Sequence, residues 1–204
     1  MASAQEWQLS SGAARVFPAN GENLAKPVIM AGGEVGPTDF PTFEAGIDHR
    51  SYSFLAELHA RGHDLILVGY ESGSRLADQA KAVEEAVRRA SAERYGDDAL
   101  TVGGVGRGAL AARYALARQE TNAVDHQTGT YFSYNGTSPS HEEDTALQSL
   151  GNWPRRPRTL KLVSRDFADG LSDADFDEAT AGAADQGGPL ITKELGTWLL
   201  DRLS

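Results

Sequence analysis

The chain has 204 residues and a mass of 21.8 kDa, enough for one sizeable core, and the expectation is one domain spanning residues 1–204. Its 19 Lys+Arg against 29 Asp+Glu give a formal net charge of -10, which argues against nucleic-acid phosphates and anionic membrane surfaces as partners. It contains no cysteine, which removes disulfides, thiolate nucleophiles and cysteine metal sites. The N-terminus has neither a basic n-region nor the apolar h-region of a signal peptide, and no stretch approaches the roughly 18 apolar residues of a membrane span. The expectation is a soluble, cytoplasmic protein.

Residues 1–26 alternate weakly, with Trp7, Leu9, Ala14 and Val16 as edge-strand positions, and predict no more than a short hairpin. Pro18 to Gly21 has turn chemistry, and Pro27 to Gly33, PVIMAGG, reads as the first central parallel strand. Glu34 to Arg50 contains several Gly, Pro and Asp residues and predicts a loop crossing the top of a sheet. Tyr52, Phe54, Leu55 and Leu58 are spaced for a helix over 52–60 with one buried face, and Gly62 stands where a helix C-terminus favours glycine. Asp64 to Tyr70, DLILVGY, is almost unbroken apolar sequence, as in a strand covered on both faces. Ser74 to Arg94 predicts a helix with Leu76, Ala80, Val83, Ala86 and Val87 on one side.

Ala99 to Leu116, ALTVGGVGRGALAARYAL, changes from a sheet's period to a helix's across a glycine-rich turn. Thr130 to Gly136 reads as another strand. Residues 137–158 are mostly polar and predict an irregular crossing, with a short periodic piece at Ala146 to Leu150. Leu160 to Phe167 is the last clear strand. Ala168 to Gly188 is dominated by Ala, Asp and Gly and yields no assignable element, and Ile191 to Leu203 closes the chain as an amphipathic helix. This alternation calls for an α/β fold: a mostly parallel sheet with helices on both faces and a ligand site outside the carboxyl ends of its strands.

Gly104-Val105-Gly106-Arg107-Gly108 fits the G-x-S-x-G frame of a nucleophile elbow except at its centre. With Leu110 to Tyr114 behind it, and PVIMAGG and DLILVGYESG ahead of it, the chain resembles the α/β-hydrolase superfamily. The likeness is to lipase-like esterases and lipid-anchor inositol deacylases, and it runs from about residue 25 to about residue 120. It implies an α/β-hydrolase-like fold with a small or absent lid. It also implies an oxyanion hole from the backbone amide of Gly33 or Glu34 and that of Arg107, with a catalytic acid after a late strand, at Asp166 or Asp169. The family's histidine precedes the last helix, where Ala184 to Gly188 holds none, and no histidine follows His141.

Gly106 has no oxygen with which to attack a carbonyl. Superfamily members lacking the serine are epimerases, cyclases and eliminating catalysts of secondary metabolism. The resemblance therefore implies a non-hydrolytic step, an isomerisation, cyclisation or elimination, on a small-molecule carbonyl substrate. The alternatives are an inactive ligand- or protein-binding protein and a residual hydrolase that activates water.

The candidate acid–base residues are Glu34, His49, His141 and Asp166, with Gly33, Tyr70, Gly106 and Arg107 lining the site. Each has a plainer reading. Glu34 and His49 can be solvated loop residues, His141 a structural or exposed one, Ser72 a helix cap beside Tyr70, and Arg107 a surface arginine. The acidic run from Asp166 to Asp185 lacks calcium-loop spacing, His59 and His63 lack the glutamate of H-E-x-x-H, and the glycine turn arrives too late in the chain for a dinucleotide fingerprint. No metal or cofactor is expected, and a homodimer is left open.

Overall fold

The computed structural model describes residues 5–21, 23–33, 36–71, 75–184 and 187–203. A hairpin of β1 (Gln5–Leu9) and β2 (Gly12–Phe17) leads to β3 (Lys26–Ala31). Helix α1 (Phe40–Ile47), a two-stranded ribbon of β4 (Asp48–His49) and β5 (Tyr52–Ser53), and α2 (Phe54–Ala60) carry the chain to β6 (His63–Tyr70). Then follow α3 (Leu76–Glu93), β7 (Leu100–Val105), α4 (Arg107–Thr121), β8 (Thr128–Tyr134), α5 (His141–Ser149) and β9 (Arg158–Ser164). A single 3-10 turn at Asp173–Asp175, β10 (Glu178–Gly182) and α6 (Lys193–Leu200) complete it.

Eight strands form one sheet in the order β1-β2-β6-β3-β7-β8-β9-β10. β2 runs antiparallel to both its neighbours, and every other pair is parallel. Because side chains alternate along a strand, each central strand feeds two cores. Ile29, Ala31, Ile66, Val68 and Val102 pack against α3 and α4 residues such as Val83, Ala86 and Ala111. Val28, Met30, Leu65, Leu67 and Leu162 pack on the opposite face with Phe43, Leu58, Leu195 and Leu199 of α1, α2 and α6. This two-sided burial explains why β6 reads as a continuous apolar run. Gly62, at φ +75°, turns the chain from α2 into that strand.

Three stretches differ from the sequence-based expectation. The segment 34–50 is not wholly a loop, since Phe40–Ile47 is helical. Pro41 is tolerated in the first turn, where its missing N–H has no intrahelical partner, and Phe43 and Ile47 supply the buried face. The segment 137–158 is more regular than an irregular crossing: Ser140 and Glu143 form a capping box that starts α5 at His141. Its remainder is clasped to α4, because buried Arg113 donates from Nε to the Asn152 carbonyl at 2.8 Å and stacks 3.6 Å from the Trp153 ring. The segment 168–188 contains an edge strand, β10, whose alternation of exposed and half-buried small residues carries little hydrophobic signal. Arg75 stands at the N-cap of α3, and Ser72 lies outside the described residues.

Strand β7 and helix α4 meet through glycine. A Cβ on Gly108 would overlap the Ala31 carbonyl oxygen, and one on Gly104 would sit 2.7 Å from the Ala109 nitrogen. One on Gly33 would sit 2.7 Å from the Val105 carbonyl oxygen. A Cβ on Gly106 would meet nothing nearer than 3.7 Å, so only its backbone conformation opposes a side chain there. In urea unfolding, Gly108→Ala is expected to cost about 3 kcal/mol or to prevent folding, whereas Gly106→Ala should cost about 1–2 kcal/mol. Equal costs at the two positions would refute this account of the packing.

Candidate functional site

The chain leaves β3 through α1 and α2 toward β6, and leaves β7 through α4 toward β8 on the other side, so the carboxyl ends of adjacent β3 and β7 form a switch point. Gly106 stands at its mouth with φ +53° and ψ -124°, the conformation of the first central residue in a II′ turn. Its N–H donates to the Tyr134 carbonyl at 2.9 Å, and its carbonyl accepts from the Ala109 N–H at 3.2 Å. The elbow is therefore pinned to β8 behind and to α4 ahead. The space a side chain would enter is bounded by backbone, with the carbonyl oxygens of Gly33 at 3.7 Å and Asn135 at 3.9 Å from the Cβ position. Helix α4 starts at Arg107, and of its first-turn N–H groups Ala109 is taken by the Gly106 carbonyl, while those of Arg107 and Gly108 have no intrahelical acceptor and leave a partial positive charge beside the apex.

The side chains around the elbow are largely committed to one another. Arg107 donates from Nε to Gln79 Oε1 at 3.0 Å and from Nη2 to Glu143 Oε1 at 2.5 Å. The same Glu143 accepts from the Ser140 N–H at 2.9 Å, so one carboxylate caps α5 and ties it to the start of α4. Burial alone would raise the Glu143 carboxyl, but the bonds from Arg107 and Ser140 outweigh it and hold the group below the ordinary carboxylate range. Tyr70 is buried, and its Oη has no hydrogen-bond partner among the described residues. Burial pushes this phenol up, with the Arg107 charge offsetting part of the effect.

At the ends of β8 and β9, Asn135 and Ser164 lock together: the Ser164 N–H donates to Asn135 Oδ1 at 2.7 Å, and Asn135 Nδ2 donates to Ser164 Oγ at 3.1 Å. Burial raises the neighbouring Tyr134 phenol, and the hydroxyls of Ser164 and Thr192 moderate the shift. Asp166 is exposed at the tip of a turn closed by the Phe167 N–H to the Ser164 carbonyl at 2.8 Å. Asp169 lies behind that turn with its Oδ2 3.0 Å from Lys161 Nζ, an ion pair without hydrogen-bond alignment. Buried Lys161 also donates to the Leu171 carbonyl at 2.6 Å and to Asp173 Oδ1 at 2.8 Å. Burial alone would lower this ammonium, and the carboxylates of Asp173 and Asp169 outweigh that and raise it.

Several solved structures with this architecture are esterases. Est1E from Butyrivibrio proteoclasticus superposes with a TM-score of 0.64 at 11% identity, covering 98% of this chain and 99% of that one. A hyperthermophilic esterase from the archaeon Pyrobaculum calidifontis gives 0.62 at 11% identity over 90% of this chain and 74% of that one. The chain has the α/β-hydrolase fold. Esterase Est22 matches at 0.55 and 10% identity over 79% of this chain, which spans 63% of that esterase's length. No family model matches the sequence, and no curated protein matches it significantly.

Within this α/β-hydrolase fold, the residues singled out from sequence fall into separate groups. Gly33 and Gly106 meet at the elbow, and Tyr70 and Arg107 lie beside it. His141 is the first residue of α5, exposed, two positions before the glutamate that holds Arg107. His49 pairs with Ser51 Oγ at 2.8 Å in the ribbon, and no contact joins it to the elbow among the described residues. Glu34 lies outside the described residues. Asn135, Ser164 and Tyr134 were not singled out from sequence, although the Asn135-Gly136 pair is a turn signal at a strand end. Among the described residues no three His, Asp or Glu side chains gather as a metal site.

The Glu143 carboxyl is depressed in the fold, so its contribution to stability is present above its ordinary value of 4.5 and is lost as pH falls through the lower folded value. Arg107→Met should destabilise by about 2 kcal/mol at pH 7. The stability gap between wild type and Glu143→Gln should close as urea titrations are taken from pH 6 to pH 3, and a gap that stays constant would contradict the pairing.

Proposed function

We propose that the protein binds a small carbonyl-containing molecule at the carboxyl ends of β3 and β7 and moves a proton on it without forming an acyl-enzyme. The observation that carries this reading is an elbow with its positive-φ backbone turn kept and a glycine at its apex. Backbone N–H groups beside the apex, at Arg107 and Gly33, would hold the carbonyl oxygen as negative charge develops, a role that needs no nucleophile. Of the acid–base candidates, His141 has the best claim to the carbon-bound proton, because its helix is bonded to the elbow through Glu143 and Arg107. Asp166 and Glu34 are the other carboxylates in play. Enolate formation of this kind is common to isomerisation, cyclisation and elimination next to a carbonyl.

The esterase likeness supports a ligand at this edge and does not by itself favour a non-hydrolytic step over hydrolysis. One observation favours a binding protein without catalysis: the Arg107 guanidinium is taken up by Gln79 and Glu143 instead of standing free for a ligand.

Three measurements separate these readings. A fluorophosphonate probe should not label the wild type, since labelling would reveal an activated serine. Small ketones, esters and lactones incubated in deuterium oxide should show accelerated loss of their α-proton signals by NMR, reduced at least tenfold in His141→Ala. Turnover of p-nitrophenyl acetate without labelling would replace proton transfer by water-activating hydrolysis, and ligand binding with neither exchange nor turnover would leave a binding protein.

A further inference from the structure

A second concavity lies away from the elbow. Helix α1, the β4–β5 ribbon and α2 arch over strands β2 and β6 and border a half-open cavity of about 540 Å³, a size typical of small-ligand pockets. Its apolar walls come from Phe17, Leu55, Leu65 and Leu67, and none of Gly33, Gly106, Arg107 or Asn135 lines it. Ala45, Asp48 and Ala56, all exposed, mark its open side.

The side chains of this cavity that carry full charge are both negative. Glu44 and Asp48 bring two carboxylates, and no Lys or Arg stands among the lining residues. Asp48 has no ion-pair partner among the described residues. Glu44 has only Arg15, whose Nη1 is 3.9 Å from Oε1, the outer limit of an ion pair. His59 Nε2 is 3.1 Å from the Phe17 carbonyl oxygen. A carbonyl only accepts, so Nε2 carries the hydrogen. Ser53 Oγ accepts the Ala56 N–H at 2.9 Å as the cap of α2. An apolar cavity with two carboxylates and no cationic side chain in its lining complements a ligand with an apolar body and a cationic, hydrogen-donating head.

We propose that this cavity is a binding site for a small amphiphilic primary amine, its ammonium held by Asp48 and Glu44 and its carbon chain lying on Leu55, Leu65 and Leu67. A carboxylate of the same length meets two like charges there, and an alcohol forgoes the charge-assisted bonds. The site is independent of the reaction at the elbow, and its test does not depend on that reaction.

Octylammonium, octanol and octanoate serve as probes of the full chain, by titration calorimetry and by amide chemical-shift mapping. Octylammonium is expected to bind at one site with shifts concentrated in residues 41–59. Octanol should bind about tenfold more weakly, and octanoate without saturation. Asp48→Asn, at an exposed position, should weaken octylammonium about fivefold, and Ala45→Trp should block the mouth and abolish binding with an unchanged far-ultraviolet spectrum. Octanoate or octanol binding as tightly as octylammonium, an unaltered affinity in Asp48→Asn, or shifts gathered at Gly33 and Gly106 would each overturn the proposal.

Discussion

At the end of β3 and the first turn of α4, two backbones meet with no side chain between them. The Ala31 carbonyl occupies the volume that a Cβ on Gly108 would need, and Val105 crowds Gly33 in the same way. This contact sets the distance between the central strand and the helix that follows β7, and through it the position of everything mounted on the switch point. Close backbone approach of this kind removes packing freedom along with side chains, so the elbow is held by excluded volume more than by attraction. The hydrogen bond from Gly106 to Tyr134 then fixes the apex against β8.

Gly106 has a different status from the glycines around it. Its neighbours are required by contact, whereas its own side-chain space is open to 3.7 Å and only its positive φ favours glycine. A serine there would carry about 1–3 kcal/mol of backbone strain, of the sort active sites retain when chemistry needs it. With glycine the strain disappears while the shape remains. Carbonyl oxygens of Gly33 and Asn135 lie within 3.9 Å of the side-chain position, and the first turn of α4 begins beside it.

Elements buried on both faces, such as β6 and the β7–α4 junction, were legible because burial leaves an uninterrupted apolar run and a sharp change of period. Helix α1 was hidden by its own composition: Pro41 and Gly46 read as loop, although Phe43 and Ile47 repeat at helical spacing. The capping box of α5 was present in the letters of Ser140 and Glu143, but a helix with one buried leucine offers little periodicity to confirm it. At the candidate site, the glycine at the centre of the G-x-S-x-G frame could be read directly at Gly106. The bonds of Arg107 to Gln79 and Glu143 could not, because they join residues 28 and 36 positions away that only the sheet order makes neighbours. Asn135 and Ser164 likewise become partners only through the β8–β9 register.

Lys161 sets a mechanical limit on the loop that follows β9. Its buried ammonium gathers oxygens from Asp169, Leu171 and Asp173, while Ser164 anchors the loop's other end at Asn135. Only four residues, 165–168, span the two anchors, and a leash of that length lets its tip travel no more than about 7 Å even when fully drawn out. Asp166 can therefore sweep a small arc above the ends of β8 and β9 and nothing farther. One ammonium, itself remote from solvent, helps fix the radius within which that side chain can move.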